Sequence, residues 1–295
     1  MADYVLSCCS AADLNYDYMK ERNVVFAKFH VMLDGEVRED DMGKSLDMNG
    51  FYEAMADDAD TKTSQVNVDD FTEHFENILK EGKDIIHISL SSGLSGAINS
   101  ANIAREDLLE KYPDRKIIVI DSLGACGGYG MLVDTLADLR DEGKSIEELA
   151  EYAMNHRLNI HHWFFTTDLK YLIRGGRVSK TSGFVGGILN ICPLLNMDYE
   201  GKLMPRFKIR TKKKVIQAII DQMVLHADDG LDYKGKCFIN DAYDNETAHE
   251  LGKAIEERFS NLKGKIFYNS IGATIGSHTG PGTVGLFFFG DARVD

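Results

Sequence analysis

Residues 84–96 read Asp-Ile-Ile-His-Ile-Ser-Leu-Ser-Ser-Gly-Leu-Ser-Gly, and they decide the fold class of this chain. The first seven residues contain the apolar residues Ile85, Ile86, Ile88 and Leu90, which predict a buried strand. The serine–glycine segment after it predicts a turn into a helix at residues 97–112. A second buried strand is predicted at Lys116–Ile120, followed by a glycine-rich turn and a helix at Met131–Glu142. Strands and helices that alternate at this spacing indicate a parallel sheet.

The second half of the chain has a different pattern. Lys202–Ile209 alternates between apolar and polar residues as a half-buried antiparallel strand does, and a helix is predicted at Lys212–Leu225. Shorter strands and one more helix follow. We therefore predict an α/β protein of two domains, with a parallel sheet in residues 1–160 and a mostly antiparallel sheet in residues 161–295.

The overall charge excludes several classes of partner. The chain has 47 acidic and 33 basic residues, and its net charge is -14. Binding to nucleic acid or to an anionic membrane surface needs a basic face, so neither is expected. No apolar run reaches the ~18 residues of a membrane span, and no signal peptide is apparent, so we predict no stable membrane insertion. The five scattered cysteines indicate reduced thiols and a cytoplasmic location.

Two glycine-rich segments match nucleotide-binding motifs but have the wrong context. Gly230–Lys236 has the spacing of a phosphate-binding loop, yet Cys237 follows where magnesium requires Ser or Thr. Gly280–Gly285 matches a dinucleotide fingerprint. Both segments lead into predicted strands, whereas phosphate binding uses the start of a helix. We therefore predict no nucleotide cofactor.

The serine–glycine segment Ser91–Gly96 is the stronger candidate for a binding site. It lies where a parallel strand ends and a helix begins, and free N–H groups at such a place can bind an anion. One serine is enough to cap a helix, so the additional hydroxyls favour a ligand. Thr63 and Ser64 form a second hydroxyl-rich segment. His278 lies among glycines and a proline in residues 276–282, which predict a rigid loop.

The other reactive side chains have weaker local support. Arg177 follows two glycines and Arg210 precedes a lysine run, and either could equally be a surface residue. His161 and the histidine after it have no partner at metal-ligand spacing, so no metal site is predicted. Cys8 and Cys9 suggest a thiol nucleophile, but adjacent strand residues face opposite sides and the sequence shows no activating histidine.

Seven segments, in one order over nearly the full length, resemble the DegV family of bacterial fatty-acid-binding proteins. They are Lys62–Gln65, Ser91–Gly96, Ile120–Ser122, Asp168–Leu172 with Gly175–Arg177, Asn190–Leu195, Gly201–Lys214 and Ile275–Gly282.

The resemblance implies a fatty acid buried between two lobes. It implies that a threonine and a serine of the first domain hold the carboxylate, at Thr63 and Ser95, with Ser92 as the alternative. It also places a histidine and two arginines near the head group. The resulting set of ligand-binding residues is Thr63, Ser64, Ser92, Ser95, Arg177, Arg210 and His278. Members of this family also serve as the acyl-presenting subunit of a fatty-acid kinase, in which a separate ATP-binding partner phosphorylates the carboxylate.

One segment departs from the family pattern. Ser7-Cys8-Cys9-Ser10 stands where family members carry a Thr-Asp-Ser-Thr-like stretch, which puts Cys8 at the position of an expected aspartate. If that aspartate is needed for phosphorylation, the protein would bind lipid without serving a kinase.

We therefore predict a carrier of one long-chain fatty acid that has no catalytic residues of its own and no cofactor. Residues 1–160 would supply the carboxylate-binding hydroxyls, and residues 161–295 would line an apolar tunnel. The predicted tunnel residues are Leu172, Ile173, Phe184, Val185, Ile188, Leu189, Ile191, Leu194 and Leu195. Two alternatives stay open: an autonomous acyl- or phosphotransferase that uses Ser95, Cys8 or His278, and a lipid-sensing regulatory protein.

Overall fold

The computed structural model describes residues 3–179 and 191–294. The strands in these ranges are β1 (Tyr4–Cys9), β2 (Val25–Ala27), β3 (His30–Leu33), β4 (Glu36–Glu39), β5 (Thr61–Ser64), β6 (Asp84–Ser89), β7 (Ile117–Asp121), β8 (Ile160–Phe165), β9 (Ile191–Met197), β10 (Leu203–Arg210), β11 (Cys237–Asp241), β12 (Ile266–Ser270) and β13 (Val284–Phe289). The helices are α1 (Tyr16–Glu21), α2 (Met48–Ala56), α3 (Val68–Lys80), α4 (Ala97–Lys111), α5 (Cys126–Asp141), α6 (Ile146–His156), α7 (Lys170–Arg174), α8 (Lys212–His226), α9 (Asn245–Arg258) and α10 (Ala273–Thr279).

The first half contains a parallel sheet, as the sequence predicts. Its strand order is β2-β1-β6-β7, and each neighbouring pair runs parallel. Strand β6 is buried along nearly its whole length because helices cover the sheet, which is why it carries isoleucine at positions 85, 86 and 88. The predicted strand at Lys116–Ile120 is confirmed as β7, and the predicted helix at residues 97–112 as α4.

The second half forms a six-stranded sheet in the order β10-β9-β8-β13-β11-β12. Every neighbouring pair is antiparallel except β11 with β12, so the predicted mostly antiparallel sheet is confirmed. Helices α8 and α9 pack on this sheet, and the predicted inward residues of α8, such as Val215 and Ile219, are fully buried. A third small sheet, β4-β3-β5, was not predicted, and its strand β5 carries Thr63.

Two local predictions were wrong. Helix α5 begins at Cys126 and not near Met131. The glycines of this segment belong to the helix, where they allow it to pack closely against its neighbours. A side chain at Gly127 would overlap Asn240, and one at Gly128 would overlap His162. The segment around His278 is the short helix α10 and not a loop, and the turn comes only at its C-terminal end.

The hydrophobic core is continuous between the two halves of the chain. The largest buried cluster joins β1 and β6 residues to Met197, Phe238 and Phe287 of the six-stranded sheet. Strand β8, the first strand of that sheet in the chain, begins at Ile160. The division into domains at residue 160 stays a prediction, because one core spans that point.

Half-buried His74 of α3 and fully buried His87 of β6 share one hydroxyl. The Ser7 oxygen lies 2.8 Å from Nε2 of His74 and 2.9 Å from Nδ1 of His87. Burial lowers the pKa of His74 to about 4, and burial together with His74 lowers the pKa of His87 well below its usual range. Both rings are therefore neutral in the folded protein at neutral pH.

These histidines should make the protein less stable in acid. The unfolded chain takes up their protons below pH ~6.5, whereas folded His74 does not until about pH 4, so stability falls as the pH drops through this window. His74 contributes up to about 3 kcal/mol of this change, and His87 acts in the same direction. Buried Asp13 and Asp40, whose pKa values are raised by burial, act in the opposite direction.

The contribution of one histidine is isolated by comparing the wild type with His74→Gln. Glutamine keeps an amide group near Ser7 but does not titrate. Urea unfolding of both proteins from pH 7 to pH 4.5 should give a shallower loss of stability for the variant. Parallel curves for the two proteins would contradict the assignment of a low pKa to His74.

Candidate functional site

A cavity of about 300 Å³ lies between the parallel sheet and the six-stranded sheet, and both halves of the chain line it. Its wall is mostly apolar. The apolar lining residues are Phe29, Leu90, Leu94, Phe164, Leu172, Met197, Leu203, Ile271, Ile275 and Phe287. Such a surface suits a hydrocarbon ligand.

Four of the seven predicted site residues meet at this cavity. Thr63 comes from β5, Ser95 from the residues just before α4, Arg177 from the segment after α7, and His278 from α10. All four are half-buried. They come from both halves of the chain, so the folding of the whole chain is needed to assemble them.

Thr63 and His278 are joined by a hydrogen bond across the cavity wall. The distance between Thr63 Oγ1 and His278 Nε2 is 2.8 Å. The other ring nitrogen, Nδ1, is buried and has no hydrogen-bond partner among the described residues. Burial, with the nearby charges of Arg177 and Arg174, lowers the pKa of His278 to about 4. The ring is thus neutral at neutral pH, with one nitrogen that donates and one that accepts.

The paired glycines before Arg177 explain how the histidine is held. A side chain at Gly175 would overlap Nδ1 of His278, so the backbone of this segment packs directly on the ring. Gly176 has a φ of +72°, in the left-handed region that favours glycine. The sequence motif therefore provides close approach and a turn, and these two features place Arg177 at the cavity.

Ser95 and Arg177 are positioned by neighbouring backbone groups. The Ser95 hydroxyl accepts a hydrogen bond from the N–H of Ala97 at 3.2 Å, at the start of α4. Arg177 donates from Nε to the carbonyl of Leu94 at 3.2 Å and from Nη1 to the carbonyl of Gly175. A guanidinium has five N–H donors, so these two bonds leave donor capacity for an anion.

The structure does not bring the other three predicted residues to the cavity. Ser64 follows Thr63 on β5 and is exposed, as expected for adjacent residues on a strand. Ser92 is exposed, and its N–H donates to the carboxylate of Asp121. Arg210 is the last residue of β10 and is exposed.

The serine–glycine segment also joins the two halves of the chain. The Ser91 hydroxyl donates to the carbonyl of Gly201 at 2.8 Å. A side chain at Gly93 would lie 2.7 Å from the same carbonyl oxygen, and one at Gly201 would overlap Ser91. Part of the serine and glycine content of this segment is therefore explained by packing.

The cavity has polar groups that sequence reasoning missed. They are Cys126, His162, Thr274, Thr279 and Thr283. The Thr279 hydroxyl is buried and has no partner among the described residues. His162 accepts from the N–H of Ala125 at 3.3 Å, and burial lowers its pKa well below the usual range. One feature of the sequence pointed to the position of His162: the glycine-rich segment from Gly124 to Gly128 packs against its ring.

The predicted tunnel residues are only partly accounted for. Leu172 lines the cavity, and Leu195 packs with it in a small cluster that includes Phe164. Phe184, Val185, Ile188 and Leu189 lie outside the described residues, as does Asn190. The remaining three, Ile173, Ile191 and Leu194, do not line the cavity.

The two thiols of β1 are not arranged as nucleophiles. Cys8 and Cys9 are fully buried. Burial raises the pKa of Cys8 well above its usual value and that of Cys9 to about 12, so both thiols are protonated at neutral pH. Cys9 lies 3.6 Å from Nε2 of His87, but burial lowers the pKa of that ring well below its usual range, so it is a weak acceptor for the thiol proton.

Comparison with known proteins gives the family. A family model described as "Uncharacterised protein, DegV family" matches residues 9–291. The chain belongs to the DegV family. A DegV domain-containing protein of Clostridium perfringens is 34% identical over 293 residues, which cover 99% of each chain.

Two solved structures that share this fold are described by the fatty acid that they bind. The Streptococcus pneumoniae Fatty Acid Kinase (Fak) B3 protein loaded with linoleic acid is 27% identical, with a TM-score of 0.84 and coverage of 99% of this chain and 100% of that one. A stearic-acid-binding protein from Eubacterium ventriosum is also 27% identical, with a TM-score of 0.84 and coverage of 96% and 97%. Among the described residues of this DegV protein, no helix has the length and apolar character to cross a bilayer.

The bond between Thr63 and His278 should contribute measurably to the stability of the ligand-free protein. Thr63→Val keeps the side-chain shape but removes the hydroxyl, which leaves both ring nitrogens without a partner. We expect the free energy of unfolding to fall by about 1–2 kcal/mol. Thr63→Ser keeps the hydroxyl and is the matched control. Urea unfolding tests both variants, and equal stability of Thr63→Val and the wild type would contradict the bond.

Proposed function

We propose that this protein binds one long-chain fatty acid in the cavity, with the carboxylate at Thr63, Ser95, Arg177 and His278. The observation that carries this proposal is the meeting of these four polar side chains with an apolar wall in one cavity. Solved relatives of the same fold bind linoleic and stearic acid, which supports the same class of ligand here.

The hydrocarbon chain supplies most of the binding energy. Burial of one methylene stabilises by ~0.8 kcal/mol, so a 16-carbon chain gives on the order of 10 kcal/mol before ordering costs. The apolar residues of the cavity come from both sheets, so the chain would run between the halves. Leu172 and Phe164 offer an apolar surface close to Arg177.

The head group needs donors that match a carboxylate. In the tautomer with a proton on Nε2, His278 donates to Thr63, and the Thr63 hydroxyl hydrogen is then available to the ligand. The Ser95 hydroxyl accepts from Ala97 and keeps its own hydrogen for the same purpose. Arg177 supplies the positive charge, and the start of α4 adds a favourable dipole. The carboxylate would thus be held mainly by hydroxyls and one guanidinium.

The head-group contacts are tested by affinity measurements with delipidated protein and oleate. Ser95→Ala and Thr63→Val each remove one hydrogen bond to a charged group, so their affinity should be about tenfold to a hundredfold lower. Ser92→Ala and Ser64→Ala are matched controls at exposed positions outside the cavity, and they should bind within about twofold of the wild type.

A neutral ligand separates head-group binding from chain binding. The methyl ester of oleic acid has the same chain without the charge, so the two cavity variants should lose much less affinity for the ester than for oleate. Absence of any bound acyl chain in native mass spectrometry, together with no thermal stabilisation by oleate, would overturn the proposal.

We further propose that the protein presents its fatty acid to a separate ATP-dependent kinase. The fatty-acid kinase protein among its structural neighbours supports this role. In the described residues, both glycine-rich motifs fail to open an α-helix. Gly230–Asp232 forms a short 3-10 turn before β11, and the segment at Gly280 leads into β13. ATP binding by another subunit is consistent with these observations.

The kinase role is tested by trapping the product. Attack of the carboxylate on the γ-phosphate of ATP gives an acyl phosphate and ADP, and hydroxylamine converts the acyl phosphate to a hydroxamate. The hydroxamate should form only when oleate-loaded protein, ATP and a fatty-acid kinase catalytic subunit are combined. Product from this protein and ATP alone would instead identify an autonomous transferase, and no product in any mixture would restrict the function to binding.

A further inference from the structure

Three side chains from distant parts of the chain meet at one place outside the cavity. They are His161 of β8, His226 at the C-terminal end of α8, and Asp291 after β13. Nε2 of His161 lies 2.9 Å from Oδ1 of Asp291, and Nδ1 of His226 lies 3.0 Å from the same oxygen. Two imidazole nitrogens therefore face one carboxylate.

Backbone contacts fix the positions of these residues. The N–H of Asp291 donates to the carbonyl of His226 at 3.1 Å, and Ala227 forms an isolated β-bridge with Gly290. A side chain at Gly290 would overlap the carbonyl of His226, so the two segments approach each other more closely than another residue would allow. The N–H of Gly290 also donates to the carbonyl of Asn159 at 2.8 Å. These backbone contacts hold together the segments that carry the three side chains.

The histidine rings are held by stacking. His161 stacks on Phe288 with ring centroids 5.2 Å apart and on His226 with centroids 4.7 Å apart. This stacking fixes the orientation of both rings, so that one nitrogen of each ring faces Asp291.

The cluster is closed on one side and open on the other. The side chain of His161 is 5% exposed, that of His226 is 26% exposed and that of Asp291 is 63% exposed. An ion held by all three would have its buried side formed by protein and its outer side free for water. Asp228 lies close enough to Asp291 for their charges to interact, and the net charge of -14 also favours a cation.

We propose that His161, His226 and Asp291 form a binding site for a divalent transition metal ion of the Zn²⁺ class, with water completing the coordination. Two imidazoles and one carboxylate are a donor set that such ions favour. Zinc bonds of ~2.0–2.2 Å place tetrahedral ligand atoms roughly 3.3 Å apart. The present separations are a few tenths of an ångström shorter, as hydrogen bonds would be, and the exposed Asp291 side chain has room to adjust.

The proposal replaces the sequence-based prediction that the chain has no metal site. That prediction considered only local spacing. His226 lies 65 residues after His161, and Asp291 lies 130 residues after His161. The competing interpretation is a hydrogen-bonded clasp without metal, in which the two imidazoles donate to Asp291 and fix the end of the chain.

The experiment uses the full chain after treatment with a chelator and removal of that chelator. Zn²⁺ is titrated in competition with a fluorescent zinc indicator, into the wild type, His226→Asn and Asp291→Asn. The matched control is His249→Asn, at an exposed position on α9 outside the cluster. We expect one Zn²⁺ per chain in the wild type and the control. Affinity should be at least about tenfold weaker in each cluster variant, because each loses one ligand atom.

Two further readouts separate metal binding from a structural clasp. Co²⁺ should give visible absorption bands of a four- or five-coordinate site in the wild type and the His249→Asn control but not in the cluster variants. Zn²⁺ should likewise raise the melting temperature of the wild type and the control but not of the cluster variants. Circular dichroism of the metal-free proteins checks that the variants are folded. Equal Zn²⁺ affinity in folded variants and wild type, or no stoichiometric binding by the wild type, would overturn the proposal and leave the clasp.

Discussion

Helix α5 packs between the two sheets at a distance that only glycine permits. It contacts β1 on one side and β8, β11 and β13 on the other. A side chain at Gly127 or Gly128 would overlap Asn240 or His162 of the six-stranded sheet. A side chain at Gly130 would overlap the carbonyl of Ala12 on the other side. The spacing of the sheets, and with it the cavity beside the start of this helix, follows from these contacts.

Glycine has the same role at the cavity itself. Gly175 lies against the His278 ring, and Gly93 and Gly201 pack the serine-rich segment against the turn before β10. These contacts connect parts of the chain that are far apart in sequence. The polar groups of the site are therefore held by close backbone packing as well as by hydrogen bonds, which keeps their geometry fixed before a ligand arrives.

Electrostatics at the site differ from those of the whole chain. The protein carries a net charge of -14, yet Arg177 and Arg174 lie near His278 and help keep its ring neutral. A local positive charge inside an acidic protein suits one carboxylate and gives no broad basic surface for polyanions. The cluster of His161, His226 and Asp291 has the opposite preference, because its carboxylate and imidazole nitrogens suit a cation. The cavity and the histidine–aspartate cluster thus favour ligands of opposite charge.

The sequence by itself determined the fold class, several of the helices and strands, and seven candidate site residues, of which four meet at the cavity. Apolar periodicity sets β6, β7, α4 and α8 locally, so it could be read directly. Thr63 and His278 were found from their segments and from family resemblance. Only the tertiary structure decided that they form a hydrogen bond, that Ser64, Ser92 and Arg210 point elsewhere, and that two histidines and an aspartate share one place. The physical reason is that these relations depend on close approach between segments 65 to 215 residues apart, which local pattern does not encode.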